Sequence, residues 1–201
     1  MFKKGVLLGL VIVMLIGAVA IARFPRPRRR SFGFHPAEAN RVLSVDEIKT
    51  DTLINARDAP VAPAFAEGTW INSAPLTLDK LRGRVALVEF WTFGCYNCRN
   101  TLPSVKEWDV KYRDRGLTIV GVHTPETSEE YSIDNVRREV PTLGIKYPVV
   151  TDNDYKTWKS YNVDAWPTVF LIDKQGRIQW VHVGEGRYDE TESVIMSLLA
   201  N

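Results

Sequence analysis

The chain has 201 residues, of which 45% are hydrophobic, 10% aromatic and 25% charged. This composition is typical of a folded protein and excludes a disordered or collagen-like chain. Residues 1–30 carry seven cations and no acid, which leaves 19 basic and 24 acidic side chains in the remainder. That mildly acidic balance argues against nucleic acid as a partner, since phosphate binding needs a basic surface.

The N-terminal segment, residues 1–22, predicts a membrane-targeting element. Two lysines precede 18 uncharged residues, from Gly5 to Ala22, which can just span a bilayer and exceed the usual signal-peptide core. We expect a single-pass anchor. A cleaved signal peptide is the alternative, because residues 18–20 and 20–22 have a small-x-small pattern. Lysine-led apolar segments direct export, so we expect an extracytoplasmic domain at a bacterial cell membrane. Five arginines after the segment favour the opposite orientation.

Residues 23–60 are expected to form a basic, proline-containing tether. They begin RFPRPRRR, a run typical of a solvated segment in contact with lipid headgroups. The stretch from Leu43 to Leu53 predicts a short helix. The pattern changes at Val61, so residues 61–201 are expected to form one folded domain, which is long enough for a hydrophobic core.

In the first half of this domain, strand patterns precede a helical one. Residues 69–83 predict a short strand or hairpin and then a helical turn at residues 78–81. The run RVALVEFWTF, residues 84–93, is almost continuously apolar and predicts a central strand covered on both faces. The helical spacing of apolar residues after Cys95 predicts a helix that ends at Gly116.

In the second half, four further strands are predicted: LTIVGVH, YPVVTD, TVFLID and IQWVHV. A turn at residues 173–176 joins the last two as a hairpin. The pattern Thr127-x-x-Glu130 predicts a capping box for a helix that runs through Val140. Asp189-x-x-Glu192 predicts the start of a closing helix. The fold class is therefore α/β, with a mixed sheet flanked by helices.

Both cysteines of the chain, Cys95 and Cys98, lie at the predicted junction of strand and helix. Free N–H groups and the helix dipole favour an anion there, so Cys95 is placed where a thiolate is stabilised. Cys98 lies one turn further on the same side, within reach for a disulfide. Closing so small a ring adds little stability, so the pair predicts a bond that opens and closes. In this hypothesis Cys95 attacks a substrate disulfide and Cys98 resolves the mixed disulfide.

Glu89 is a carboxylate within the apolar run of the predicted central strand, on the same face as Trp91. An unpaired buried acid is costly and would have a raised pKa. Such a group behind the cysteines could take the proton from Cys98. The alternative is a glutamate at a strand edge that points into water.

These motifs carry a resemblance. Two motifs are similar to those of the thioredoxin superfamily. They are Trp91-x-x-x-Cys95-x-x-Cys98 with Pro103 beyond, and Trp166-Pro167-Thr168 before a strand and hairpin. Three further features resemble the membrane-anchored TlpA-like members of this superfamily: the apolar N-terminus, the lead-in GTWINSAPLTLDKLRGR and the insert around residues 124–160. The forms WTxxCxNCxxxLP and WVHVGEGRYDETE resemble the thioredoxin-like domain of DipZ-type thiol:disulfide interchange proteins. The resemblance covers residues 61–201.

The resemblance implies a thioredoxin-like fold with an insert in the middle, and roles for the catalytic residues. Cys95 would be the exposed nucleophile and Cys98 the buried resolving thiol, forming the redox-active disulfide. Glu89 stands at the position of the buried proton-transfer carboxylate. No cofactor or metal is implied, and the expected partners are protein thiols or disulfides and a membrane electron-donor protein.

The same resemblance implies supporting roles for two tryptophans and two prolines. Trp91 would pack beneath the motif, and Trp166 would support the substrate-binding side. Pro167 would be a cis-proline that faces the disulfide and presents backbone to a bound polypeptide. Pro103 matches a kink in the active-site helix, since an interior proline breaks the local hydrogen-bond ladder.

The direction of exchange depends on the groups next to Cys95. The dipeptide between the cysteines is Tyr96-Asn97, which provides no cation next to Cys95 to favour a strong oxidant. We therefore expect a cell-envelope disulfide reductase, for which the resemblance suggests cytochrome c maturation. A disulfide oxidase or isomerase is the alternative.

Other functional classes are alternatives to this one. Cys95 and Cys98 with a histidine could form a copper chaperone site, because soft thiolates suit copper(I) or zinc, but a closed zinc site needs four ligands. His35, His123 and His182 are far apart in sequence and are interpreted as ordinary histidines. A non-catalytic membrane adaptor and a peroxidase that uses Cys95 against peroxide are the remaining alternatives.

Overall fold

The computed structural model describes residues 42–201. The predicted membrane segment and the arginine-rich part of the predicted tether lie outside these residues. Within the described range, no helix is both long enough and apolar enough to cross a bilayer.

In the described part of the chain, six strands form one mixed sheet in the order β1-β4-β3-β2-β5-β6. They are β1 Trp70–Ile71, β2 Val85–Trp91, β3 Leu117–His123, β4 Val149–Thr151, β5 Thr168–Ile172 and β6 Ile178–Val183. β2, β3 and β4 are parallel, whereas β1 is antiparallel to β4, β5 to β2 and β6 to β5. The sheet confirms the predicted mixed α/β architecture and the hairpin that joins β5 to β6.

Within residues 42–201, four α-helices accompany the sheet: α1 Tyr96–Tyr112, α2 Ile133–Thr142, α3 Lys156–Ser160 and α4 Tyr188–Ala200. α1 continues into a 3₁₀ turn, Arg113–Arg115, and the chain then turns at Gly116 with φ of 106°. That left-handed conformation favours glycine and ends the helix as predicted. α1 therefore leads directly into β3, the parallel neighbour of β2.

All seven residues of β2 are buried, because the strand is central and covered on both faces. Alternate side chains enter two different hydrophobic clusters. Trp91 belongs to the cluster that contains Cys98 of α1, whereas Phe90 belongs to the cluster on the opposite face. By the same alternation Glu89 points to the face of Trp91 and Cys98.

The capping box at Thr127 initiates a 3₁₀ turn, Ser128–Tyr131, and not the long helix that the sequence predicts. The backbone is extended at Ser132, which interrupts the helical ladder. α2 then starts afresh, capped by the Ser132 hydroxyl, which accepts a 3.3 Å hydrogen bond from the N–H of Asn135. The break leaves Glu130 in a short turn with its carboxylate directed inward.

The short strand predicted within residues 69–83 is β1, and it pairs with β4, so the alternative of a hairpin is wrong. Two other predictions differ from the structure. The closing helix α4 begins at Tyr188, so Asp189 lies in its first turn and does not cap it. The stretch from Leu43 to Leu53 forms only a 3₁₀ turn, Val45–Glu47, because its backbone bonds to the sheet.

Residues 42–60 follow the free edge of the sheet. The N–H groups of Asp51 and Ile54 donate to the carbonyls of Val181 and Gln179 in β6, at 2.8 and 2.9 Å. The carboxylate of Asp51 lies 2.7 Å from Nδ1 of His182, and Ile54 is buried. This part of the chain covers the edge of β6 that would otherwise expose unpaired backbone groups.

Candidate active site

Cys95 and Cys98 lie at the N-terminus of α1, as the sequence predicts. Cys95 is the N-cap residue, and its Sγ accepts a 3.3 Å hydrogen bond from the N–H of Cys98. Both cysteines are free thiols; Cys95 is partly exposed and Cys98 is buried. The arrangement presents one sulfur to solvent and holds the second beneath it.

Burial is the main cause that raises the pKa of the Cys98 thiol. Its hydrogen bond with Cys95 and the nearby charge of Glu89 act in the same direction, while a hydrogen bond with the Thr92 backbone partly opposes them. Cys98 is therefore protonated at neutral pH and needs a proton acceptor before it can act as a nucleophile.

Glu89 is fully buried in the middle of β2, which excludes the alternative of a strand-edge carboxylate in water. Its Oε2 accepts a hydrogen bond of 3.2 Å from the phenol of Tyr147, and its Oε1 has no partner among residues 42–201. Burial raises the pKa of Glu89 to about 8, although the Tyr147 bond acts to lower it. A group with this pKa can both take up and release a proton near neutrality.

Trp91 is completely buried and lies against β3. A Cβ atom on Gly121 would come within 2.7 Å of the Trp91 Nε1 atom and 3.2 Å of Cε2 of Tyr147. Gly121 is the register partner of Glu89 in β3. The missing side chain at Gly121 thus leaves room for both aromatic rings beside the carboxylate.

The peptide bond between Trp166 and Pro167 is cis. The Trp166 indole N–H donates a 3.1 Å hydrogen bond to the carbonyl of Thr124, and its ring lies 4.3 Å from that of Trp158. The Pro167 carbonyl accepts a hydrogen bond from Gly184. These contacts hold the segment that immediately precedes β5.

Pro103 lies inside α1, as the resemblance implied. A proline cannot donate a backbone hydrogen bond, so one position of the helical ladder is unfilled there. The residues that the resemblance placed at the site therefore lie on β2, α1 and the segment before β5.

Four side chains near the cysteines were not identified from the sequence as parts of the site: Thr92, His123, Glu130 and Tyr147. No local sequence pattern marks Tyr147 as a site residue, because only the folding of the chain brings it to Glu89. Glu130 had a capping signal, but nothing in that pattern indicated that its carboxylate would also reach Gly94.

The two histidines within residues 42–201, His123 and His182, are buried. The sequence left open whether each would be exposed or would have its hydrogen bonds satisfied inside the fold. His123 lies beside Thr92, with 3.2 Å between its Nε2 and the Thr92 Oγ1, and burial lowers the pKa of His123 to about 4. His182 contacts Asp51. Within residues 42–201, no three histidine, cysteine, aspartate or glutamate residues are grouped so that they could hold a metal ion.

The chain is similar in sequence to several known proteins. The Redoxin family matches residues 57–199. Protein DipZ of Mycobacterium tuberculosis is 41% identical over 133 residues, which are 65% of this chain and 19% of DipZ. The thiol-disulfide oxidoreductase ResA of Bacillus anthracis is 29% identical over 137 residues, 68% of this chain and 76% of ResA. The matched region thus spans about a fifth of DipZ.

Solved structures show the same fold. A thiol:disulfide interchange protein of the thioredoxin family from Chlorobium tepidum superposes with a TM-score of 0.61 at 26% identity, covering 73% of this chain and 99% of that one. A thiol-disulfide isomerase from Corynebacterium glutamicum gives 0.63 at 25% identity, covering 70% and 97%. The Redoxin match extends over well more than half of the residues. The chain therefore belongs to the Redoxin family and has a thioredoxin-like fold.

Proposed function

We propose that this protein exchanges disulfides with protein substrates through Cys95 and Cys98. The observation that carries the proposal is the pairing of a partly exposed sulfur at a helix N-terminus with a buried thiol whose N–H bonds to that sulfur. The match to ResA, which is a thiol-disulfide oxidoreductase, supports the same chemistry.

The exchange begins with the thiolate of Cys95. Its Sγ attacks one sulfur of the substrate disulfide, the substrate S–S bond breaks, and the other substrate sulfur leaves as a thiolate. The resulting mixed disulfide joins Cys95 to the substrate. Cys98 then attacks the Cys95 sulfur, which releases the second substrate thiolate and forms the Cys95–Cys98 disulfide. The substrate gains two electrons and this protein loses them.

Glu89 takes the proton of Cys98 in the second step. The two groups interact electrostatically. Because the pKa of Glu89 is about 8, its protonated and ionised forms are both populated near neutral pH. Because Cys98 is buried, bulk water has little access to its proton. The buried carboxylate of Glu89 is therefore the proton acceptor in this step. In this proposal, four residues support the active site and the surface that binds the substrate: Trp91, Trp166, Pro103 and Pro167.

The proposed direction is reduction at the cell envelope. Residues 1–22 would anchor the chain, and the part of the predicted tether before residue 42 would link the anchor to the folded domain. That domain would receive electrons from a membrane donor protein. The absence of a cation between the two cysteines supports this direction. Cytochrome c maturation is the pathway we propose for it.

The test is the reduction potential of the full chain in detergent, equilibrated in glutathione or dithiothreitol buffers. A value near or below about −220 mV supports a reductant, whereas one near about −120 mV would make the protein an oxidant. Wild-type protein should also reduce insulin disulfides, and Cys95→Ser should abolish that activity. Cys98→Ser should accumulate the mixed disulfide. A wild-type protein that forms no Cys95–Cys98 disulfide would refute the proposed function.

A further inference from the structure

Glu130 is a buried carboxylate that lies outside the exchange mechanism described so far. It is 0% exposed and belongs to the 3₁₀ turn before α2. Its Oε1 accepts a 2.8 Å hydrogen bond from the N–H of Gly94, the residue before Cys95. Its Oε2 accepts bonds from the N–H groups of Glu126 and Thr127, at 2.6 and 2.9 Å. One side chain thus joins the insert to the loop that carries the nucleophile.

The contact with the active-site loop is close. A Cβ atom on Gly94 would lie 2.5 Å from Oε1 of Glu130, so a side chain there would displace the carboxylate. Burial by itself would raise the pKa of Glu130, but the hydrogen bonds from the Thr92 side chain and from the backbones of Glu126, Thr127 and Gly94 outweigh it and lower the pKa. Glu130 is therefore an anion at neutral pH.

The same loop also contacts His123. The His123 Nε2 atom lies 3.2 Å from the Thr92 Oγ1 atom, and the imidazole ring stacks on Phe93 with 5.5 Å between the ring centres. Residues 92–94 are thus held on both sides, by an imidazole and by a carboxylate.

We propose that Glu130 is a positioning residue that fixes the loop before Cys95 and makes the Cys95–Cys98 couple more reducing. This electrostatic effect on the redox couple rests on the proposed function. The positive potential at the start of α1 stabilises a Cys95 thiolate, and an anion on the adjacent Gly94 N–H opposes it. A less stable thiolate means a less stable reduced form, and hence a lower reduction potential.

The substitution Glu130→Gln tests this proposal in the full chain. Glutamine has one acceptor oxygen and two N–H donors, so it removes the charge and cannot accept all of these bonds. Both changes favour the thiolate. We expect the equilibrium constant for reduction by glutathione to rise about tenfold, which corresponds to about 30 mV. Alkylation by iodoacetamide near pH 6 should also become several-fold faster.

The matched control is Glu129→Gln, because Glu129 is the neighbouring acid and is exposed. The control should leave the equilibrium constant within about twofold of wild type. A folded Glu130→Gln protein with a wild-type constant, or an equal change in the control, would overturn the proposal. The proposed function fails separately, if wild-type protein itself forms no disulfide.

A second variant keeps the test decisive if Glu130→Gln does not fold. Glu130→Asp retains the anion but is one methylene shorter, so it cannot reach both the Gly94 loop and the turn at Thr127. Its charge then lies farther from the Gly94 N–H, so we expect the equilibrium constant for reduction by glutathione to rise, by less than in Glu130→Gln, and the exchange rate with insulin to fall several-fold. A Glu130→Asp protein with a wild-type exchange rate would show that the loop needs no such support, and would overturn the proposal.

Discussion

The phenol of Tyr147 donates a 3.2 Å hydrogen bond to Oε2 of Glu89 in the interior of the protein, 58 residues away along the chain. Burial also raises the pKa of Tyr147, and the charges of Glu89 and Cys98 add to the effect. The phenol therefore stays protonated and remains a donor. The proposed proton acceptor for Cys98 has its ionised form stabilised by this one bond.

Replacement of Tyr147 by phenylalanine should raise the pKa of Glu89 above its value of about 8. The lost bond favours the charged form, so we expect an increase of about one pH unit. The measurement is an NMR titration of the Glu89 side-chain carboxyl in labelled protein. Tyr112→Phe is the control, because that phenol bonds to Glu192 instead. An unchanged Glu89 titration in Tyr147→Phe would contradict the assignment.

Replacement of Glu89 by glutamine should slow the release of substrate from the mixed disulfide by about 100-fold, since general base catalysis contributes on that order. The first attack by Cys95 should proceed at nearly the wild-type rate. Stopped-flow mixing with a disulfide-linked fluorescent peptide separates the two steps. Glu107→Gln, an exposed acid on α1, is the control. Equal slowing of both steps would argue for a structural role of Glu89.

The same Glu89→Gln protein should be more stable than wild type at alkaline pH. Because the pKa of Glu89 is raised from 4.5 to about 8 in the folded state, the folded state binds the extra proton between these values. Wild-type stability therefore falls as the pH rises through that window. The loss is on the order of 5 kcal/mol. Denaturant unfolding at pH 4 and pH 9 measures it, and a stability difference between the two proteins that is independent of pH would refute it.

Introduction of a methyl group at Gly121 should destabilise the fold, because a Cβ would come within 2.7 Å of Nε1 of Trp91. Overpacking of this kind costs about 1–3 kcal/mol. A double-mutant cycle with Trp91→Phe provides the check, since phenylalanine lacks the crowded indole nitrogen. Gly121→Ala should cost less in the phenylalanine background, and equal costs in both backgrounds would locate the strain elsewhere.

The pair formed by Asp51 and His182 should hold residues 42–60 on β6. Asp51→Asn keeps the shape, and asparagine tolerates the positive φ of 56°. We expect a loss of about 1 kcal/mol for this partly exposed pair, so the Ile54 N–H should exchange with solvent about fivefold faster. Asp46→Asn, on the exposed side of the same segment, is the control. Equal exchange in both variants would rule out the pair as the anchor.

Local patterns were sufficient for the main elements and for the thiol pair. The apolar run of β2 and the helical period after Cys95 are short-range signals, because burial on two faces and helical spacing leave a direct imprint on neighbouring residues. The errors lie where such patterns compete with tertiary contacts. Thr127 and Glu130 satisfy a capping box, but the Ser132 cap redirects the chain before a long helix can form.

Residue patterns are enough to place two thiols at a strand-helix junction and a lone carboxylate in an apolar strand. The groups that surround these side chains come from distant segments, which only the folded chain brings together. Tyr147 reaches Glu89 across 58 residues, and Glu130 reaches Gly94 across 36. The physical reason is that both carboxylates lose water on folding and need hydrogen-bond donors. Those donors come from whichever segments the sheet order brings beside them, and local residue patterns do not specify that order.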